Sequence, residues 1–417
     1  MIGFRALVVA LGSVASVSAI GSPFGFARST TGGAGGTQVT PTTTAQLVSY
    51  LSDSTTRTII LTTMFDFSNY YGTTTGTICK PWSCSPNPQW MIDSSNHWCD
   101  SYASTKTTGT YYNSGTSTSY TLKVGSNKTL LGQGSSAGIK GIGLLIAGVS
   151  NVIIQSRSFR SRSAALTDKL QISTSLTLSM YPHFPLIHYS NWYVVVRIMS
   201  GVETLSAFRA LRAFIDHNYI KNVGRQFIVT GFDPATQVTI SNNFFDGQAT
   251  YSTGCDGHHY WVALFAGKSD TITFARNYVY YTAGRGPHTG GTSGYYQWVH
   301  ITNNYFNNIS GHAIDSSTGS VVLVEGNYFN SVTTPSVSGS AGNEYFMTSS
   351  SHVSTCTSTL GRTCQANTLA SSGSVSHANT AVLTTLESQS AVVSYVPMAA
   401  SAVPAFVLAN AGTGKIN

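Results

Sequence analysis

Charge is scarce in this 417-residue chain: Asp, Glu, Lys and Arg together make up 9% of it, and only 15 residues are acidic. Beyond the N-terminus no segment supplies the ~20 uninterrupted apolar residues that a membrane span requires. There is no Cys-x-x-Cys and no spaced His pair, so the usual metal-ligand patterns are missing. His258-His259 has no carboxylate cluster beside it and does not make up for that lack. The formal charge of +7 suggests a polyanion-binding surface, but the excess is local. Residues 156–212 hold seven basic residues against two acidic ones, a surplus of five. Without that stretch and Arg5, the remainder stands near +1. Nucleic acid and membrane are therefore not expected as partners.

What is abundant is a repeat. An apolar residue, two variable residues, an Asn and an aromatic recur five times: Ile215 to Asn218-Tyr219, Ile240 to Asn243-Phe244, Phe274 to Asn277-Tyr278, Ile301 to Asn304-Tyr305, and Val324 to Asn327-Tyr328. The Asn residues are 25, 34, 27 and 23 positions apart. A period in the twenties on β-branched and aromatic segments marks the coils of a solenoid. Each strand ends in Asn, Gly or Ser, so each turn reads as strand then corner. The fold class is all-β, a parallel β-helix in which each coil buries its apolar face against its neighbours. Asn at one place in successive coils predicts a side-chain ladder and a left-handed corner at the Asn.

Residues 1–19 read as a secretory signal, with Arg5 as the positive region, Ala6 to Val17 as the apolar stretch and Val17-Ser18-Ala19 as the cleavage site. Residues 20–417 then form one secreted, extracellular domain. Six cysteines fit that compartment and imply disulfides, although their number leaves fifteen connectivities open. Asn127-Lys-Thr129 and Asn308-Ile-Ser310 are N-glycosylation sequons.

The repeat fails between about Ser156 and residue 212. That stretch combines a Ser-Arg-rich run with apolar residues of neither strand nor helix period. An insertion at a coil corner is one reading. Translated non-coding sequence is the other, and the codons support it. Read from the third base of each codon, Arg197 to Thr204 permits Asn-Tyr-Val-Trp-Gly-Gly-Asp, and Ile172 to Thr177 permits His-Ile-Thr-Asp. Ser179-Met180-Tyr181 can encode an intron donor, and Ser190-Asn191 a branch point.

Several motifs in order resemble the fungal pectin lyases of the pectate lyase superfamily. They are Val124-Gly-Ser-Asn127-Lys-Thr-Leu-Leu-Gly132-Gln-Gly134, Ile215-Asp-His217, Gly224-Arg225-Gln226, Cys255-Asp-Gly-His-His-Tyr-Trp261 and Gly284-Arg285-Gly-Pro287. The resemblance runs from about Gly25 to Asn417, and the out-of-frame Tyr-Val-Trp-Gly-Gly-Asp matches the family's active-site coil. It implies a single-stranded right-handed parallel β-helix, monomeric, with long loops forming a cleft. It implies eliminative cleavage of methyl-esterified polygalacturonan, without metal or other cofactor. Arg285 becomes the base and Arg225 the group that polarises the ester. A base must reach C5, and preplaced cations must meet the charge developing on the ester oxygen. Trp82, Tyr260 and Trp261 are expected to stack on sugar rings and methyl esters. Trp90 and Trp98 read equally well as core. Where the family has Ser-Pro-Lys after the arginine, this chain has Gly286-Pro287-His288, and His288 is expected at the substrate. The family's active-site Asp has no counterpart in frame. The implied disulfides are Cys79–Cys99, Cys84–Cys255 and Cys356–Cys364.

Two other activities fit the residues less well. A Ca²⁺-dependent pectate lyase needs a carboxylate cluster, and none stands near Arg225 or Arg285. A polygalacturonase needs paired Asp residues, and no such motif is present. A non-cleaving, pectin-binding β-helix is the remaining alternative.

Overall fold

The computed structural model describes residues 21–93, 97–103, 105–114, 118–156, 158–160, 172–173, 196–199, 212–337 and 342–416. The strands stack as the coils of a parallel β-helix with three faces. The first face is one continuous parallel sheet from Thr37–Val39 to Asn343–Phe346. The second runs from Met64–Asp66 through Tyr278–Tyr280 to Thr368–Ala370. The third includes Leu144–Ala147, Val196–Met199, Ile228–Thr230, Ala263–Phe265 and His288–Thr289. The long strand Tyr305–Ser316 turns from the second face into the third.

The repeat explains this stacking. Ile215, Ile240, Phe274, Ile301 and Val324 pair in register on the first face, and all five side chains are fully buried. The Asn side chains form the expected ladder. The Nδ2 of Asn218 donates to the Oδ1 of Asn243 at 2.9 Å, and Asn243, Asn277 and Asn304 repeat the contact at 2.9–3.0 Å. A sixth rung, Asn367, accepts from Asn327 at 2.9 Å. It was hidden in the sequence because Thr368 replaces the aromatic and 40 residues separate the two rungs.

The left-handed conformation does not fall on the ladder Asn, as the sequence had suggested. It falls one residue earlier, on His217, Asn242, Arg276, Asn303 and Gly326, with φ of 50–62°. Each Asn must already run in the strand direction, because its own N–H also reaches the next Oδ1. The residue before it therefore makes the bend.

The aromatics that follow the ladder stack outside the coils, with Phe244–Tyr278 at 4.8 Å and Tyr278–Tyr305 at 5.2 Å between ring centroids. The C-terminal tail covers them. Helix Val403–Asn410 buries Val403 and Val407 against Tyr305, Tyr278 and Tyr328. Its companions, Ala381–Leu386 and Ser390–Val393, bury Leu383, Leu386 and Val392 beside Tyr345 and Met347. The tail thus packs along the outside of the helix, which the sequence alone had not decided.

The stretch 156–212, which lacks a legible period, still contributes backbone to the solenoid. Ser158–Arg160 lies between Gly138–Lys140 and Tyr219–Lys221, and Val196–Met199 lies between Leu144–Ala147 and Ile228–Thr230. Backbone pairing needs no alternating pattern, and Val196 and Ile198 suit a strand. Residues 161–171, 174–195 and 200–211 lie outside the described residues.

Candidate active site

The corner between the second and third faces recurs in successive coils, and each copy contributes to one cleft. Arg225 precedes strand Ile228–Thr230, Tyr260 and Trp261 precede Ala263–Phe265, and Arg285 precedes His288–Thr289. The coils are tied across the corner: Phe227 N–H donates to Val262 O at 2.9 Å, and Ala263 N–H to Arg285 O at 2.8 Å. The resulting cavity has a volume of about 480 Å³ and is lined by Trp82, Arg225, Asp256, Tyr260, Trp261 and Arg285 among others.

The two arginines differ in environment. Arg225 is only 3% exposed. Burial pushes its guanidinium down to about 9, and the neighbouring charge of Arg285 acts in the same direction. Its Cζ lies 5.7 Å from the ring centroid of Trp261. Arg285 is half-buried, adopts φ 53° and places its Cζ 5.7 Å from the ring centroid of Tyr260. Each cation therefore rests on an aromatic wall, an arrangement that is attractive where water is thin. Trp82 meets Trp261 edge to face at 6.0 Å, and Tyr260 meets Trp261 at 5.6 Å.

Beneath this wall sits His259, 5% exposed and fully engaged. Its Nε2 donates to Arg225 O at 2.6 Å and to Trp261 O at 2.9 Å. Burial pushes the ring down to about 4 although both carbonyls favour the charged form, so it stays neutral at working pH. Disulfide Cys84–Cys255, spanning 171 residues, ties the loop of Trp82 to the loop before His258-His259. The other two pairs are also as the resemblance implied, Cys79–Cys99 and Cys356–Cys364.

Not every expected residue reaches the cleft. His288 is 7% exposed and outside the lining; its Nδ1 lies 2.5 Å from Asp315 Oδ2. Burial works against ionisation of Asp315, but His288, His312 and Arg285 together hold its carboxyl below the usual range. His288 is thus held on Asp315 rather than offered to the cleft. Trp90 also lies outside the lining, with Lys80 Nζ 4.3 Å above its ring, and the Trp98 side chain lies outside the described residues. The counterpart of the family's Asp, read out of frame after Arg197, falls there too. Of the sequons, Asn127 is partly exposed and accepts from Asn151 at 2.8 Å; Asn308 stands two residues from Ser310, which lines the cleft.

Sequence reasoning missed Asp256, Ser310 and Gly311 as lining residues. Asp256 lay inside a quoted motif, next to Cys255. Gly311 had no signal, but a Cβ there would meet Ala283 O at 2.2 Å, so only glycine lets these coils approach. Among the described residues, Glu325, Cys356 and Cys364 form the one group of three metal-type ligands, and both of its sulfurs are joined in a disulfide.

Comparison with known proteins gives the family. Residues 229–416 match a family model described as pectate lyase. Pectin lyase B of Emericella nidulans is 37% identical over 414 residues, covering 98% of each chain. A probable pectin lyase F of Aspergillus niger is 39% identical over 401 residues, 95% of this chain and 75% of that one. The chain belongs to the fungal pectin lyases. The fold is shared more widely: a Bacillus pectate lyase solved with trigalacturonate superposes with a TM-score of 0.56 at 19% identity, covering 95% of this chain and all of that one. Pectate lyase II of Xanthomonas campestris gives 0.51 at 17% identity, covering 94% of this chain and 99% of its own. A fold shared this widely does not by itself set the chemistry.

Proposed function

We propose that this chain is a secreted pectin lyase that cleaves methyl-esterified (1→4)-α-D-galacturonan by β-elimination. The observation that carries the reading is the pairing of Arg225 and Arg285, brought from separate coils into one aromatic-walled cleft. Arg285, the more accessible guanidine, is the base in this reading and takes the C5 proton. The C5–H electron pair becomes the C4=C5 double bond, the C4–O4 bond breaks, and the departing oxygen takes up a proton. No water enters the bond. Negative charge gathers on the ester oxygen, where Arg225 remains cationic below about pH 9 and desolvated, and so acts strongly. Trp82, Trp261 and Tyr260 suit neutral rings and methyl esters. Secretion, a monomeric state, glycosylation at Asn127 and Asn308, and independence of Ca²⁺ belong to the same reading. The test is the ultraviolet absorbance of 4,5-unsaturated uronide released from highly esterified pectin in the presence of a chelator. Saturated ends, or activity that requires Ca²⁺, would overturn it.

A second reading concerns residues 156–212. The out-of-frame Trp-Gly-Gly-Asp follows the strand that pairs directly with Ile228–Thr230, next to Arg225. We propose that this stretch derives from unspliced introns and a shifted exon, and that the spliced message restores an Asp to this coil. Sequencing the transcript tests this directly; a message encoding the stretch as written sinks it. Expressed side by side, the spliced form should far exceed the written form in turnover.

A further inference from the structure

Among the described residues, three charged side chains line the cleft: Arg225, Arg285 and Asp256. The elimination above uses the two arginines and gives Asp256 no task. Its carboxylate is nevertheless firmly held. Oδ2 accepts from Ser310 Oγ at 2.7 Å, and Oδ1 from His258 N–H at 3.0 Å and Ser252 Oγ at 3.3 Å. His258 Nδ1 lies 3.1 Å from Oδ2, and His258 is itself fixed by a stack on Tyr281 at 3.7 Å. The preceding residue, Cys255, is clamped to Cys84. Neither arginine is among these partners, so Asp256 is not their counter-ion. Its side chain remains 35% exposed.

A cleft with only two arginines would draw in any polyuronate, including the free acid. A bound free carboxylate would compete for Arg225, and beside an ionised carboxylate the C5 proton is far less acidic than beside an ester. A fixed negative charge in the same lining works against such binding, because repulsion of the wrong ligand sets specificity as effectively as attraction of the right one. A tethered carboxylate cannot swing away to relieve that repulsion, and low-dielectric walls such as Trp82 and Trp261 extend its reach.

We propose that Asp256 is a specificity-determining residue, a fixed negative charge that disfavours free uronate in the cleft and thereby selects the neutral ester. The proposal rests on the pectin-lyase reading and assigns its ester preference to one side chain.

Asp256→Asn keeps the size and one acceptor oxygen but removes the charge. Binding is read by affinity electrophoresis in gels containing either polygalacturonate or highly esterified pectin, a measurement that needs no turnover. Polygalacturonate binding should tighten about threefold to fivefold in dilute buffer, the upper scale of one screened charge contact. Binding to esterified pectin should change less than about twofold, and the difference should vanish near ~1 M salt, where the Debye length is ~3 Å. Asp256→Glu, which keeps the charge, should retain the preference. With all proteins made in a host that adds no N-glycans, Ser310→Ala, which removes the tether and keeps the charge, should shift the ratio less than Asp256→Asn. Equal effects on both polymers, no salt dependence, or an equal shift in Ser310→Ala would overturn the proposal. Unsaturated product is followed separately, so loss of the reaction and loss of the discrimination are distinguishable.

Discussion

His259 joins Arg225 to Trp261: one neutral imidazole N–H is shared between the two backbone carbonyls, at 2.6 and 2.9 Å. The coil that carries a guanidinium is thereby locked to the coil that carries the aromatic wall. Replacing His259 with Phe removes the donor that these two buried carbonyls share, at a cost of about 1–3 kcal/mol. The variant should melt earlier and lose about tenfold or more in kcat through misplacement of Arg225. A variant with unchanged melting and unchanged kcat would remove His259 from this role.

The pH–rate profile should carry an alkaline limb near pH 9. Burial and the charge of Arg285 both lower the pKa of Arg225, so raising the pH removes the cation that meets the ester oxygen. Arg225→Lys should cost roughly 100-fold in kcat, since a point charge does not replace a planar donor set. A kcat that stays flat to well above pH 10 would contradict this assignment.

Much of the architecture could be read from the sequence because the ladder is chemically strict. Asn at the repeat position satisfies buried backbone on both sides, and few other residues can do so. The rung at Asn367 was hidden because its aromatic partner is missing. In the cleft, Arg225, Arg285, Tyr260 and Trp261 were legible through local motifs and Trp82 through the family resemblance, and all five line it. Ser310 and Gly311 were not, because their place depends on how the long strand Tyr305–Ser316 turns between faces. His288 misled for a related reason: it directly follows the Arg-Gly-Pro corner, and the chain there has already turned inward toward Asp315.

A middle rung should matter more than an end one. Asn277 accepts from both nitrogens of Asn243 and donates to Asn304 and to Ile240 O. Asn277→Ala should cost roughly 3–4 kcal/mol by leaving several buried groups unpaired, and Asn218→Ala clearly less, since no rung precedes Asn218 among the described residues. Chemical denaturation of the two variants decides it; equal losses would mean that the ladder does not act as a chain.

Two buried groups should set opposing slopes of stability against pH. Burial lowers His259 from 6.5 to about 4 in the fold, so its contribution is present above pH 6.5 and is lost as pH falls toward 4. Burial raises Asp270 from 3.8 to about 7, against donors from Thr230, Ala235 and Gly267, so its contribution is present at low pH and is lost as pH rises toward 7. The two offset each other between about pH 4 and 7. In His259→Gln the Asp270 slope loses this counterweight, so between pH 4 and 7 the melting temperature should rise less, or fall more, with pH than in the parent. An identical pH profile in both proteins would refute the compensation.

Removing the Cys84–Cys255 bridge should damage the cleft as well as the fold. With a sequence separation of 171, the bridge closes a long loop, and its loss should cost roughly 5 kcal/mol on the chain-entropy model. The double variant to Ser should also raise KM several-fold through loosening of Trp82 against Trp261. A fall in melting temperature with KM unaltered would confine the bridge to stability.

The corner that builds the cleft also acts as a ruler. Strands Ile228–Thr230, Ala263–Phe265 and His288–Thr289 are consecutive neighbours, so the backbone entry points of Arg225 and Arg285 are two strand spacings apart, about 9.6 Å at ~4.8 Å each. Loops leaving that corner, such as residues 247–260, can lengthen or shorten without altering the interval. The wall of the cleft is thus free to vary in evolution while the distance between the two guanidine-bearing corners stays fixed by the hydrogen-bond spacing of the coils.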